Sequence, residues 1–187
     1  MSADAEGFRF RQGAGRLCLD FTRTLRHRGR PDAVEELTGP AAVAAWISQC
    51  GPVPARVGTE ADLTTIRELR EAIFALVTRG PAECGPGGRE LVNRIAAAPV
   101  PVPYLAADAT LRWQAADPVA ATLSLVARDA LDLVTSPAVD RVRECANPDC
   151  GAMFLDVSRP GTRRWCAMGS CGNQAKKTAY RERQAAN

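Results

Sequence analysis

Four cysteines in the last third of the chain are spaced as two identical pairs. Cys145 and Cys150 form the first pair, Cys166 and Cys171 form the second, and four residues separate the members of each. Four thiolates suit a tetrahedral zinc ion, because soft sulfur ligands bind zinc well and four of them close its coordination sphere. A closed site has no open position for a substrate or an activated water. The spacing therefore predicts one zinc ion with a structural role.

Two other uses of these cysteines are alternatives. A disulfide pair requires an oxidising compartment, and nothing in the sequence places the chain in one. An iron–sulfur cluster also uses thiolates, but the Cys-x2-Cys element of the common ferredoxin patterns is absent. Cys18, Cys50 and Cys84 bring the total to seven, an odd number that does not suit a secreted disulfide framework.

Positive charge is concentrated around the cysteine pairs. Nine Lys or Arg and four Asp or Glu lie from Arg141 to Asn187, a net charge of +5, whereas residues 1–140 carry a net charge of −2. The predicted nucleic-acid contacts are Arg159, Arg163 and Arg164 in a basic turn and Gln174, Lys176, Lys177, Tyr180, Arg181 and Arg183 in the last helix. The cations can contact phosphates, and Tyr180 can stack on a base. A helix that is basic only for solubility is the alternative.

Residues 8–137 are predicted to form a mainly helical domain, because apolar side chains recur there at helical spacing. The predicted helices cover residues 16–25, 38–50, 59–78, 89–98 and 117–136, with Thr38 as the N-cap of the second and residues 85–88 as a linker before the fourth. Residues 102–105 and 110–114 are predicted to form a short hairpin. On the third helix, Arg67 and Glu71 are expected to pair across one turn.

Residues 140–187 are predicted to form a separate zinc-binding domain. Strands at 142–144 and 153–156 flank the first cysteine pair, a basic turn follows at 158–164, and a helix runs from Gly172 to about Gln184. A knuckle, a hairpin and a helix with the last ligand at its start make a treble-clef-like zinc finger. The predicted fold class is mainly α (α+β). The helical domain is expected to fold without the finger, because its long amphipathic helices supply enough apolar surface.

Several short motifs resemble a known family. Cys145-x4-Cys150, Phe154-Leu155-Asp156, Ser158-Arg159, Arg163-Arg164-Trp165-Cys166 and Cys171-Gly172-Asn173 together resemble the CGNR zinc-finger proteins. Residues 17–24 resemble the start of the ABATE domain that precedes the finger in that family. Two positions depart from the family pattern: Gln174 stands where the family has Arg, and Arg23 stands where it usually has Asn. The resemblance implies a bacterial transcription regulator of a stress-response type.

DNA is the partner that the resemblance and the basic residues together favour, with binding mostly through phosphates. The alternative is a zinc-stabilised protein-interaction module that docks an acidic partner. A homodimer is also expected, because a single finger has a small footprint on DNA. The sensory role that the resemblance implies suggests a small-molecule effector, for which Asp20, Arg23 and Trp46 are the candidate binding residues.

Enzyme chemistry finds little support in the sequence. His27 is the one histidine, so no histidine pair is available for catalysis or metal binding. No carboxylate pair has metal-binding spacing, and the predicted zinc site is closed. The chain also lacks a charged-then-apolar signal region and any apolar run of about 18 residues. The expected protein is a soluble, cytoplasmic non-enzyme.

Overall fold

The computed structural model describes residues 7–56 and 62–185. This part of the chain is mainly helical, with three small two-stranded antiparallel sheets, which confirms the predicted α+β class. The elements in chain order are α1 (Leu17–Thr22), β1 (Leu25–Arg26), β2 (Val34–Glu35), α2 (Pro40–Cys50), α3 (Leu63–Arg79), α4 (Gly85–Ala96), β3 (Val102–Leu105), β4 (Leu111–Gln114), α5 (Pro118–Thr135), β5 (Val142–Glu144), β6 (Met153–Leu155) and α6 (Asn173–Ala185). Within the described residues, no helix combines the length and apolar character needed to cross a membrane.

Helix α5 is the centre of the helical domain and packs against α1, α2, α3 and α4. It begins as predicted, because the Asp117 carboxylate accepts hydrogen bonds from the backbone N–H groups of Val119 (2.9 Å) and Ala120 (3.0 Å). Asp129 of α5 also accepts a 2.8 Å hydrogen bond from the backbone N–H of Cys18. A carboxylate on α5 therefore satisfies the start of α1, which has no side-chain cap of its own.

One predicted helix start is wrong in detail, and another falls outside the described residues. Gly39, not Thr38, precedes the first residue of α2, and no side chain caps this helix. Helix α3 begins at Leu63, where the Asp62 carboxylate accepts a 3.0 Å hydrogen bond from the Thr64 backbone N–H. The earlier start predicted for α3, at residue 59, lies outside the described residues.

The start of α4 and the end of α1 also differ from the predicted boundaries. Residues 85–88, predicted as a linker, form the first turn of α4. Pro86 is tolerated there because a helix leaves its first N–H groups without partners in any case. Helix α1 ends at Thr22 rather than residue 25, since Leu25 and Arg26 pair with β2 as a strand.

The ion pair predicted between Arg67 and Glu71 does not form. Arg67 instead donates to the backbone carbonyl of Leu37, with its Nη2 atom at 2.6 Å. Glu71 accepts from Arg28 and from Arg70. Arg67 and Glu71 therefore bond to residues in or next to the β1–β2 sheet region, and they do not bond to each other.

The β3–β4 hairpin is confirmed, with Val102 opposite Gln114 and Leu105 opposite Leu111. Every residue of its two strands is exposed. Five of them are large apolar side chains, namely Val102, Tyr104, Leu105, Leu111 and Trp113. The hairpin thus presents apolar surface that the core does not use.

The zinc-finger region shares one core with the helical domain. The backbone N–H of Leu155, on β6, donates a 2.7 Å hydrogen bond to the carbonyl of Ala14. Gly15 lies against the same residue with φ +89°, and a Cβ atom at Gly15 would lie 3.1 Å from Leu155 Cβ. Arg30 forms a 3.0 Å ion pair with Asp149 in the first cysteine knuckle. This continuous packing argues against the expectation that the helical domain folds alone.

We expect Leu155→Ala to destabilise the whole chain, because the lost side chain is buried between the two regions. The free energy of unfolding should fall by about 2–5 kcal/mol in a single cooperative transition, measured by chemical denaturation. The control is Val157→Ala, whose valine is 66% exposed and should change stability by no more than about 0.5 kcal/mol. Two separate transitions, of which only one shifts, would contradict the shared core.

Candidate functional site

The four paired cysteines converge on one point. Their Sγ atoms all lie within 4.8 Å of one another, and all four residues are buried. The Sγ atom of Cys166 lies 3.7 Å from those of Cys150 and Cys171. Tetrahedral zinc with Zn–S bonds of about 2.3 Å places its sulfurs about 3.8 Å apart, so the spacing fits this ion. Cys145, Cys150, Cys166 and Cys171 form a structural zinc site, as predicted.

Backbone hydrogen bonds fix the first knuckle around this site. The N–H of Cys145 donates to the carbonyl of Ala152 (2.9 Å), and the N–H of Cys150 donates to the carbonyl of Asn147 (2.9 Å). Gly151 follows Cys150 with φ +61°, a conformation that a side chain disfavours. The tight turn therefore directs both sulfurs to the same side, between β5 and β6.

The second pair is anchored to the first. The backbone N–H of Cys166 lies 3.4 Å from the Sγ atom of Cys145, to which it donates. A single π-helical turn, Met168–Gly172, places Cys171 directly before α6. The last ligand is thus joined rigidly to the final helix, so zinc fixes where that helix begins.

The remaining cysteines take no part in the site. Burial raises the pKa of the Cys18 thiol, and burial also raises the pKa of Cys50 to about 12. Cys84 donates a hydrogen bond to the carbonyl of Ala72 at 3.4 Å. None of these three cysteines belongs to the cluster of four sulfur atoms that forms the metal site.

The basic turn is built around the buried carboxylate of Asp156. This carboxylate accepts hydrogen bonds from the hydroxyl of Ser158 (2.6 Å), from the backbone N–H of Ser158 (2.9 Å) and from that of Arg163 (2.9 Å). The Ser158 hydroxyl is the largest of the causes that lower the pKa of Asp156. The turn is consequently fixed at neutral pH, with Arg159 and Arg164 exposed on it.

Arg163 does not contribute to the exposed basic surface, contrary to the prediction. Its guanidinium stacks over the ring of Phe154, with 4.6 Å from Cζ to the ring centre. It also donates to the carbonyls of Trp165, at 2.9 Å, and Cys166. Arg163 is half-buried and holds the chain that leads into the second knuckle.

Helix α6 has two chemically different faces. One face lines a groove beside the first knuckle, and its residues are Gln174, Ala175, Thr178, Ala179 and Glu182. These positions follow the i, i+1, i+4, i+5, i+8 spacing of one helix side. Lys176, Lys177 and Tyr180 therefore lie on the opposite side. Arg181 and Arg183 lie at its two borders, and all five predicted contacts are exposed. We call these five residues the basic face.

Gln174, also a predicted contact, lies at the border of the basic face, two turns before Arg181, and its side chain is hydrogen-bonded to the first knuckle. Its Oε1 atom accepts a 3.2 Å hydrogen bond from the side chain of Asn147, in the first knuckle. This bond joins the start of α6 to the knuckle loop. Gln174 is thus part of the support for the basic face.

The structure does not support an effector site at Asp20, Arg23 and Trp46. Asp20 accepts hydrogen bonds from the backbone N–H groups of Gly13 and Ala14, and Arg23 bonds internally. Trp46 is buried in the core, where its ring centre lies 5.1 Å from that of Phe21. The polar groups of Asp20 and Arg23 are therefore used for folding, and Trp46 serves as core.

We expect Cys166→Ser to lose the zinc ion, since a serine hydroxyl is a poor ligand for this thiolate site and metal binding is coupled to folding. Metal analysis should find less than one zinc per chain, and circular dichroism should show reduced helix content as α6 loses its anchor. The control is Cys84→Ser, whose hydroxyl can keep the hydrogen bond to Ala72. Full zinc occupancy in Cys166→Ser would contradict the assignment.

Comparisons with known proteins agree with this geometry. Residues 15–137 match the ABATE family, described as "Putative stress-induced transcription regulator". Residues 141–184 match the CGNR zinc finger. Neither description names an enzymatic activity, and comparison with curated proteins gives no match. With a family match over more than half its length and the four-cysteine site in place, the chain belongs to the ABATE family and carries a CGNR zinc finger after the ABATE domain.

Proposed function

We propose that the protein is a cytoplasmic, non-enzymatic transcription regulator that binds DNA through the basic face of α6. The observation that carries this proposal is the division of α6 into two faces. The side toward the knuckle holds the hydrogen bond to Asn147, whereas four cations and one tyrosine are exposed outside the groove, across the opposite side and its borders. A regulator family and a zinc finger in the same chain support the same reading.

The zinc ion supplies the rigidity that phosphate binding needs. Cys171 is the last ligand and lies two residues before Asn173, the first residue of α6, so the metal fixes the helix start in position and direction. Preorganised cations lose less conformational entropy on binding than cations on a flexible tail. Arg159 and Arg164 add exposed positive charge on the turn that Asp156 holds.

The basic face suits the DNA backbone better than it suits base reading. Lysine and arginine side chains bind phosphate oxygens irrespective of sequence, and Tyr180 is 58% exposed, so its ring is available for stacking. Gln174, the residue best suited to an adenine edge, is turned toward Asn147 instead. We therefore propose that phosphate contacts provide most of the binding free energy.

We expect the double variant Lys177→Ala/Arg181→Ala to bind DNA more weakly across all sequences. The plot of log K against log salt should become shallower by about two units, because two phosphate contacts are lost. Fluorescence anisotropy at several salt concentrations measures both effects, while metal analysis should show unchanged zinc.

The matched control is Arg89→Ala/Arg94→Ala, which removes the same charge from exposed positions on α4. It should leave DNA affinity close to that of the wild type. Equal losses in the two variants would show that only net charge matters. Binding to an acidic protein, with no preference for DNA, would favour the alternative of a protein-interaction module.

We further propose that two copies of the chain associate through the β3–β4 hairpin. In the described part of the chain this sheet contains only these two strands, so both of its edges are open. Pairing at an edge would leave the side chains of both faces exposed. Packing of two copies about a twofold axis through the face that carries Leu105, Leu111 and Trp113 would cover these apolar side chains. A dimer would also offer two fingers to DNA, which supports a second copy of the chain as the partner of the hairpin.

We expect Leu105→Lys/Leu111→Lys to shift the protein toward monomers, because two facing cations would replace an exposed apolar pair. Sedimentation velocity over a range of concentrations measures the change. Val157→Lys, at an apolar position that is 66% exposed in the finger, is the control and should not alter association. A wild-type protein that stays monomeric at every concentration would remove the dimer proposal and leave DNA binding to be judged separately.

A further inference from the structure

A buried arginine lies between the metal centre and the helical domain. The side chain of Arg23 is only 3% exposed. Its Nη2 atom lies 3.9 Å from the Sγ atom of Cys166, and its Nη1 atom lies 3.4 Å from Asp20 Oδ1 and 3.3 Å from the carbonyl oxygen of Gln12. One guanidinium therefore bridges a zinc ligand on one side and the segment before α1 on the other.

The charge of the metal centre explains why a cation is stable at this position. Four thiolates around Zn²⁺ carry a net charge of about −2. A buried guanidinium is costly unless opposite charge and hydrogen bonds compensate it. Arg23 has long hydrogen bonds to Asp20 and Gln12, and its Nε atom has no acceptor among the described residues. The negative charge of the zinc-site thiolates therefore compensates a large part of the positive charge of the Arg23 guanidinium.

The contacts of Asp20 extend this link back to the finger. Its carboxylate accepts hydrogen bonds from the backbone N–H groups of Gly13 (3.2 Å) and Ala14 (2.9 Å). The carbonyl of Ala14 in turn accepts from Leu155 on β6. A chain of contacts therefore leaves the metal centre, passes through the helical domain and returns to β6 of the finger. Its members, in order, are Cys166, Arg23, Asp20, Ala14 and Leu155.

We propose that Arg23 is a positioning residue that couples zinc occupancy to the packing of the helical domain against the finger. With zinc bound, Cys166 is fixed next to the guanidinium, and Arg23 holds Asp20 and the 12–14 segment in place. Loss of zinc releases Cys166 and removes the negative centre, so the buried charge of Arg23 keeps only its long contacts to Asp20 and Gln12, and this segment loosens. The helical domain can then respond to the metal state of the finger. This inference rests on the zinc site and is independent of DNA binding.

Arg23→Met in the full chain tests the coupling, because methionine fills apolar space but carries no charge or donor. Competition with a chromophoric chelator should show zinc affinity lowered by about tenfold, the range expected when a partner of a metal ligand is lost. Arg23→Lys keeps the charge, but one ammonium cannot span Cys166 and Asp20 as the guanidinium does. Its loss of zinc affinity should be smaller than that of Arg23→Met, and it carries the test if the methionine variant does not fold.

Arg70→Met is the matched control, since Arg70 is equally buried but binds Glu35 and Glu71 rather than a cysteine. It should lower thermal stability without changing zinc affinity. Hydrogen exchange provides the second measurement: removal of zinc by chelation should reduce amide protection in residues 12–22 of the wild type, and less so in Arg23→Met. Wild-type zinc affinity in both Arg23 variants, or protection of residues 12–22 that does not depend on zinc in the wild type, would overturn the proposal.

Discussion

The convergence of four cysteine sulfurs is the constraint on which the finger depends. It brings together a knuckle after β5, the end of the basic turn and the turn that begins α6. Helix α6 needs this anchor, because nearly all of its described side chains are exposed and an isolated helix of its length is marginally stable in water. The position of the basic face is therefore set by the metal and by the Asn147 bond to Gln174, since apolar packing along the helix contributes little.

The metal centre is in turn enclosed by more than the finger. Leu155 and Phe154 pack into the same core as α1 and α5, and Arg23 reaches Cys166 from the helical side. A small zinc module commonly depends on its metal for folding, but here a large helical core covers one side of the site. The two regions that match separate families therefore form one physical unit at their junction.

The sequence predicts features that local signals determine. Cysteine spacing identifies the zinc site, and Asp117-Pro118 marks the start of α5. The two hairpin strands are short segments of apolar and aromatic residues on either side of a turn. Features that depend on tertiary contacts are not predictable in this way. Arg163 and Arg164 have the same local signal, yet one stacks on Phe154 and the other is exposed. Likewise, nothing near Arg23 in the sequence indicates that Cys166, far along the chain, lies beside it.

The distribution of arginines shows why net charge alone overstates the available binding surface. The finger region has nine cations, but Arg163 is used internally, and Arg141 and Arg143 donate to the backbone carbonyls of Ser158 and Asp140. The remaining cations lie on α6 and at Arg159 and Arg164. Of these, Arg183 donates to the carbonyl of Ala179 one turn back, and Arg164 lies over the ring of Trp165. Phosphate binding depends on how many cations can reach the same backbone together, not on their total. In the DNA binding proposed above, a rigid face of four cations therefore contributes more to affinity than the same charge distributed over the finger, because zinc places the four cations in fixed positions on one helix.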